Sequence, residues 1–231
     1  MGDDADQARY LRTDFLARIA HELRGPSGVA LGALAELERA GGDPARTAAL
    51  LQMARRGIER TLRTAERLER TAQLEADRVE WEREPCDLRE IVRTAVASTE
   101  LLERRSGVSV DSTVEGAPCT LLGDCAWLKA AVAELVSNAI RHARRAVTVT
   151  LRRRGAELVL RICDDGPGFS TPLEWRFASP SRRQGLALSL SLVRDVARAH
   201  GGQFTVERSD EATPLVGGRV ELCLPCLAAA G

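Results

Sequence analysis

Four stretches of this chain place reactive residue types at useful spacings. The first is Asp164-Asp165-Gly166-Pro167-Gly168, directly after the apolar run Leu158–Cys163. Two glycines let a backbone turn sharply and come close to a ligand. A carboxylate at a strand's end can accept a hydrogen bond from a buried amine such as the adenine amino group. A plain Asp-Gly turn uses the same residues. The second stretch is Glu134 to His142 (ELVSNAIRH). Glu134 and Asn138 are four apart, hence neighbours on one helix face. Such a carboxylate and amide offer hard oxygens to a hydrated Mg2+, and Arg141 can meet phosphates. A solvated helix face reads the same way.

The third stretch is Gln184-Gly185-Leu186-Ala187-Leu188. A helix N-terminus preceded by glycine is an anion site, or simply a helix start. The fourth is Phe15 to Pro26 (FLARIAHELRGP), in which His21 is followed by Glu22 on a charged helix. A zinc site of the H-E-x-x-H kind fails here, because Gly25 stands where the second histidine belongs.

The framework that holds these residues can be read from periodicity. Residues 5–40 read as one helix, with Phe15, Ile19, Leu23, Ala30, Leu34 and Leu37 on a stripe. Pro26 lies inside it and predicts a bend. Gly41-Gly42-Asp43-Pro44 breaks the pattern. Residues 45–77 form a second helix, with Leu51, Ala54, Ile58, Leu62, Ala65, Leu68 and Ala72 on one face. Two such helices cannot bury both stripes alone, and a second copy would complete a four-helix bundle. After residue 78 the period changes. Val79–Glu82 alternates as a strand, and Asp87 opens a helix to about residue 105. Val108–Val114 reads as a strand. Asp124 opens a helix to about Ala143, and Ala146–Arg153 with Glu157–Cys163 form a hairpin around Gly155. Residues 166–185 are loop-like. Leu186–His200 is helical, Gly201-Gly202 ends it, and Gln203–Arg208 and Gly218–Leu224 close as strands. The expected class is an α-helical hairpin, forming a dimeric four-helix bundle, followed by an α/β two-layer sandwich with a mixed sheet.

Composition excludes several function classes. Acidic and basic residues number 33 each over 231 residues, so no net positive field points to nucleic acid or an anionic membrane. Lys129 is the only lysine, which removes G-x-x-x-x-G-K-[ST] and V-A-I-K chemistries. No apolar run approaches the ~20 residues that cross a bilayer, and the acidic start is no signal peptide. A cytoplasmic location with no membrane insertion is expected. The six cysteines, Cys86, Cys119, Cys125, Cys163, Cys223 and Cys226, show no framework spacing and are expected as reduced thiols.

Together the four stretches resemble the catalytic core of sensor histidine kinases of two-component systems. Phe15 to Pro26 resembles the phosphoacceptor box, Glu134 to His142 the asparagine box, Asp164 to Gly168 the first glycine box and Gly185 to Leu188 the second. The resemblance covers residues 10–226 and implies a Bergerat-type ATP-binding fold. It divides the chain into a dimerisation and phosphotransfer hairpin (1–78), a linker (79–87) and an ATP-binding domain (88–231). It implies ATP and Mg2+, with Asp164 on the adenine and Gly166 and Gly168 shaping the pocket. Asn138, with Glu134 directly or through water, would hold Mg2+. Arg141, His142, Gly185 and Leu186 would complete the nucleotide site. His21 would take the γ-phosphoryl group, with Glu22 orienting the imidazole and accepting its proton. The implied partners are a second copy through residues 5–77, a response regulator's receiver domain and an upstream sensor.

The chain departs from the family pattern in two places. Of the second glycine box only Gly185 remains, with Arg182 or Arg183 and Ala187 at the other glycine positions, and Phe177 stands for a phenylalanine box. These changes admit a pseudokinase or an ATP-independent phosphotransferase as alternatives. Gly25 stands where many members carry Thr or Asn, which predicts weak phosphatase activity.

Overall fold

The computed structural model describes residues 2–39, 43–76, 79–115, 119–169, 186–208 and 215–227; for residues 2–19, 75, 186–189 and 208 it describes the backbone alone. Most of the chain up to Ala76 forms one compact unit, and most of the chain beyond it forms another.

The first unit is a hairpin of α1 (Gly2–Arg39) and α2 (Pro44–Glu75). Asp43 caps α2 by accepting from the Ala45 amide at 3.0 Å, and Pro44 takes the first helical position, where a missing N–H costs nothing. The helices meet through small residues: Ala30 and Ala33 of α1, and Ala54, Thr64 and Thr71 of α2, are buried. Gly57 makes the closest approach. A methyl there would lie 2.6 Å from the Pro26 carbonyl and 2.8 Å from the Ala30 Cβ. The Thr64 and Thr71 hydroxyls donate to the carbonyls of Arg60 and Arg67 one turn back, so these buried groups are satisfied. The apolar stripe expected on α2 is therefore not the face that meets α1. Of its members Ala54 is buried, but Leu51, Ile58 and Leu62 are 49–56% exposed. Close packing of two helices selects small side chains and turns the bulky ones outward.

The second unit contains β1 (Glu84–Asp87), α3 (Leu88–Ala97), α4 (Glu100–Ser106), β2 (Ser109–Glu115), β3 (Thr120–Gly123), α5 (Cys125–His142), β4 (Ala146–Arg154), β5 (Glu157–Asp164), α6 (Leu186–Ala199), β6 (Gln203–Arg208) and β7 (Gly218–Pro225). A mixed five-stranded sheet runs β2-β4-β5-β7-β6, with β2 parallel to β4 and the other pairs antiparallel. Register lines up one apolar row, Leu151–Leu160–Leu222–Phe204, and beside it Val149–Ile162–Val220–Val206. Side chains alternate across a strand, so this face is the one packed under α5. Leu128, Val132, Leu135, Val136 and Ile140 of α5 are fully buried there.

Three expectations need correction. Val79–Glu82 is not a strand; the strand is β1, inside the segment read as linker, and it pairs with β3, which the sequence did not reveal. Trp81 is held instead by ring contacts, 5.5 Å from Trp127 and 5.3 Å from His200. The helix expected over 88–105 breaks in two, because the Ser98 and Thr99 hydroxyls donate to the carbonyls of Ala95 and Val96 and end the first helix. The cysteines are not all reduced: Cys86 of β1 and Cys125, the first residue of α5, form a disulfide. The β1–β3 pairing brings their Cα atoms to 5.6 Å across 39 residues of sequence, within bridging range. Cys119, Cys163, Cys223 and Cys226 form no disulfide.

Candidate functional site

Asp164 ends β5 opposite Val147, in phase with Leu158, Leu160 and Ile162. It therefore sits on the helix-covered face, where the apolar rows stop, and is only 7% exposed. Its Oδ1 accepts from the amides of Gly166 at 2.8 Å and Gly218 at 3.3 Å. Burial pushes the Asp164 carboxyl up, and the two amides pull it back only in part.

The turn after Asp164 works by close approach. A Cβ on Gly166 would lie 2.2 Å from the His142 carbonyl, so the turn lies against the end of α5. Gly168 has φ 69°, a conformation that glycine adopts without strain. Asp165 fastens the turn by accepting from the amides of Arg144, Arg145 and Ala146 at 2.7–3.2 Å. Burial pushes its carboxyl up more than any single one of these bonds pulls it down, but together the amides hold it below the usual range.

One turn before His142, Asn138 is 4% exposed. Neither its amide nitrogen nor its oxygen has a hydrogen-bond partner among the described residues. A buried amide left so is costly unless something binds it, and its oxygen is a hard donor suited to Mg2+. Glu134, also on α5, has its carboxylate 3.6 Å from the Arg141 guanidinium, and Arg141 also donates to the Ser137 carbonyl at 3.1 Å. Leu186 starts α6. Gly185 lies outside the described residues, as do Phe177, Arg182 and Arg183.

The structure adds residues that the sequence did not single out. A Cβ on Gly217 would lie 2.1 Å from the Asp164 carbonyl, and one on Gly218 would lie 2.5 Å from its Oδ2. The glycine pair at the start of β7 is thus as necessary to the packing around Asp164 as the Asp-Gly turn. Two glycines before an apolar strand were a signal, but nothing local ties them to Asp164, 54 residues away.

In the hairpin, His21 is exposed. Glu22 faces α2, where its Oε2 receives the Arg67 guanidinium at 2.6 Å. Gly25 has open space around it: an added Cβ would meet nothing within 4 Å.

Comparison with known proteins agrees with this geometry. Residues 123–227 match the family of histidine kinase-, DNA gyrase B- and HSP90-like ATPases. The class is thus an ATPase-type domain following a helical hairpin. Over 98% of its length the chain is 30% identical to the histidine protein kinase DivJ of Caulobacter vibrioides, of which it covers 40%. Over 97% it is 33% identical to the sensor-like histidine kinase SenX3 of Mycobacterium tuberculosis, of which it covers 57%. The chain spans about half the length of these relatives. The structure of the histidine kinase AdeS from Acinetobacter baumannii superposes with a TM-score of 0.65 at 17% identity, over 90% of this chain and 98% of that one, a likeness of fold. Over nearly its whole length the chain is similar to sensor histidine kinases.

Proposed function

We propose that this chain is a kinase core that phosphorylates its own His21 from ATP and passes the phosphoryl group to an aspartate on a response regulator. The observation that carries the reading is Asn138: a buried amide with both atoms unpartnered among the described residues, on the helix whose end abuts the Asp164–Gly168 turn. Asp164 would accept from the adenine amino group. Asn138 would hold Mg2+, with Glu134 directly or through water, and the ion would neutralise triphosphate charge. Arg141 and His142, exposed at the end of α5, would meet phosphates and ribose, and Gly185 and Leu186 would complete the nucleotide site.

In the reaction one ring nitrogen of His21 bonds the γ-phosphorus as the bond to the ADP oxygen breaks. The proton on the other ring nitrogen passes to Glu22, and ADP leaves. Such a transfer needs chiefly alignment and charge neutralisation. The exposed Leu51, Ile58 and Leu62 support dimerisation of the hairpin by a second copy.

The test is incubation with γ-labelled ATP and Mg2+. Acid-labile label lost in His21→Ala is the expected result. Nucleotide binding without label would favour a pseudokinase, which the degenerate second glycine box (Gly185 with Ala187) makes the leading alternative. Label only from a phosphorylated donor protein would favour a relay.

A further inference from the structure

The Glu22–Arg67 pair differs from two other ion pairs of the hairpin. Arg46–Glu36 and Arg55–Glu59 lie 41–81% exposed, whereas the Arg67 and Glu22 side chains are 11% and 20% exposed. Exposed pairs contribute little. A sheltered pair loses in desolvation much of what it gains in attraction, so stability alone explains it poorly. Its position is more telling. Glu22 follows His21 directly, and α2 grips the same segment of α1 at successive turns. Gly57 closes on Pro26, the Ser27 and Thr61 hydroxyls lie 3.2 Å apart, and Arg67 reaches Glu22 at 2.6 Å. A glutamate has three side-chain torsions to order. A guanidinium is the cation best shaped to fix its carboxylate.

We propose that Arg67 is a positioning residue for phosphorylation of His21: through its ion pair it holds the Glu22 carboxylate where it takes up the imidazole proton. This rests on the kinase reading above. The step is the one already balanced: the P–N bond forms, the donor's bond to phosphorus breaks, and the proton ends on Glu22. The pair then carries one net positive charge beside the new phosphoryl group.

The experiment uses the whole chain. Rates of His21 phosphorylation are measured across ATP concentrations with Mg2+, and separately with phosphoramidate, a small donor that needs no ATP site. Wild type is compared with Arg67→Lys, Arg67→Gln, Glu22→Gln and the double variant, with thermal melting as the control for folding. The expected result is that Arg67→Gln lowers kcat about tenfold while KM for ATP stays within about twofold. The phosphoramidate rate should fall in parallel, and Arg67→Lys should restore most of both. In the Glu22→Gln background, Arg67→Gln should cost less than about twofold, because the group it positions is already gone. An unchanged rate in Arg67→Gln, a full additional loss in the double variant, or a loss that tracks melting temperature and is not restored by lysine would overturn the proposal. So would Glu22→Gln having no effect with either donor. A wild type that accepts phosphate from phosphoramidate but not ATP would overturn the kinase reading alone, and the phosphoramidate series would then decide Arg67 by the same criteria. A wild type phosphorylated by neither would overturn both.

Discussion

At Asp164 the proposed function and stability pull in opposite directions. Burial raises its carboxyl above the unfolded value. A group shifted that way favours folding when protonated; the gain is complete below about pH 3.9 and is lost as pH rises through the folded value. Where it is ionised, Asp164 therefore costs stability. Asp164→Asn keeps an oxygen for the Gly166 and Gly218 amides but removes the charge. Without ligand it should melt at the same or a higher temperature. In titration calorimetry it should bind adenine nucleotides about 10–100-fold more weakly, the loss of a charged hydrogen bond of about 1.5–3 kcal/mol. Lower melting with intact affinity would contradict the assignment. Gly25 gives a second test at this scale. Because an added Cβ meets nothing there, Gly25→Thr should leave the hairpin folded. It should also increase the rate at which a phosphorylated cognate regulator loses phosphate in the presence of this protein, compared with the wild type.

Among the elements, the start of α5 is fixed from three directions. Asp124 caps it through the Ala126 and Trp127 amides, the Cys86–Cys125 disulfide ties it to β1, and His200 holds it from the end of α6. The His200 Nε2 accepts from the Asp124 amide at 2.9 Å, and Nδ1 donates to the Val196 carbonyl at 2.7 Å. Both nitrogens are used only by the neutral ring. Burial pushes its value down, Arg83 adds to this, and the Val196 carbonyl opposes it. A histidine depressed below its unfolded value of about 6.5 contributes stability that is full above that pH and lost as pH falls toward the folded value. Urea unfolding should show stability declining below pH 6.5 by at most about 1.4 kcal/mol per pH unit from this group, and His200→Gln should flatten that slope. The disulfide closes a long loop, so reduction, or Cys86→Ser with Cys125→Ser, should lower the unfolding free energy by about 2–4 kcal/mol. An unchanged denaturation midpoint in reductant would mean that the bridge does not form.

For the whole molecule, the hairpin leaves Val29, Leu31, Leu34, Leu51, Ile58 and Leu62 between 40 and 67% exposed. Rows of this kind mark a protein contact, and two hairpins packed together make a four-helix bundle. Ile58→Glu with Leu62→Glu should convert a dimer to a monomer in analytical ultracentrifugation while the ATP-binding unit keeps its melting transition. A wild type that sediments as a monomer at all concentrations would remove the bundle from the proposal.

Much of this protein was legible in its sequence, because the deciding signals were local. Helix period with Gly41–Pro44 read out the hairpin. Strand alternation and the Asp124 cap read out β4, β5 and α5, and neighbouring residues drew attention to the His21, Asn138 and Asp164 stretches as candidates. What sequence alone could not decide were contacts between residues far apart in the chain. The face that α2 turns to α1 depends on how closely two backbones can approach, which Gly57 permits only beside Pro26. β1 and β3, four residues each, acquire strand character from each other rather than from their own pattern. Cys86 meets Cys125, Gly218 meets Asp164 and Arg67 meets Glu22 because the fold closes 39, 54 and 45 residues of chain. Spacing along a sequence carries no record of such distances. The chemistry proposed for the site therefore rests on residue type, whereas the burial of Asp164, the close approach of the glycines to it and the anchoring of Glu22 rest on tertiary packing.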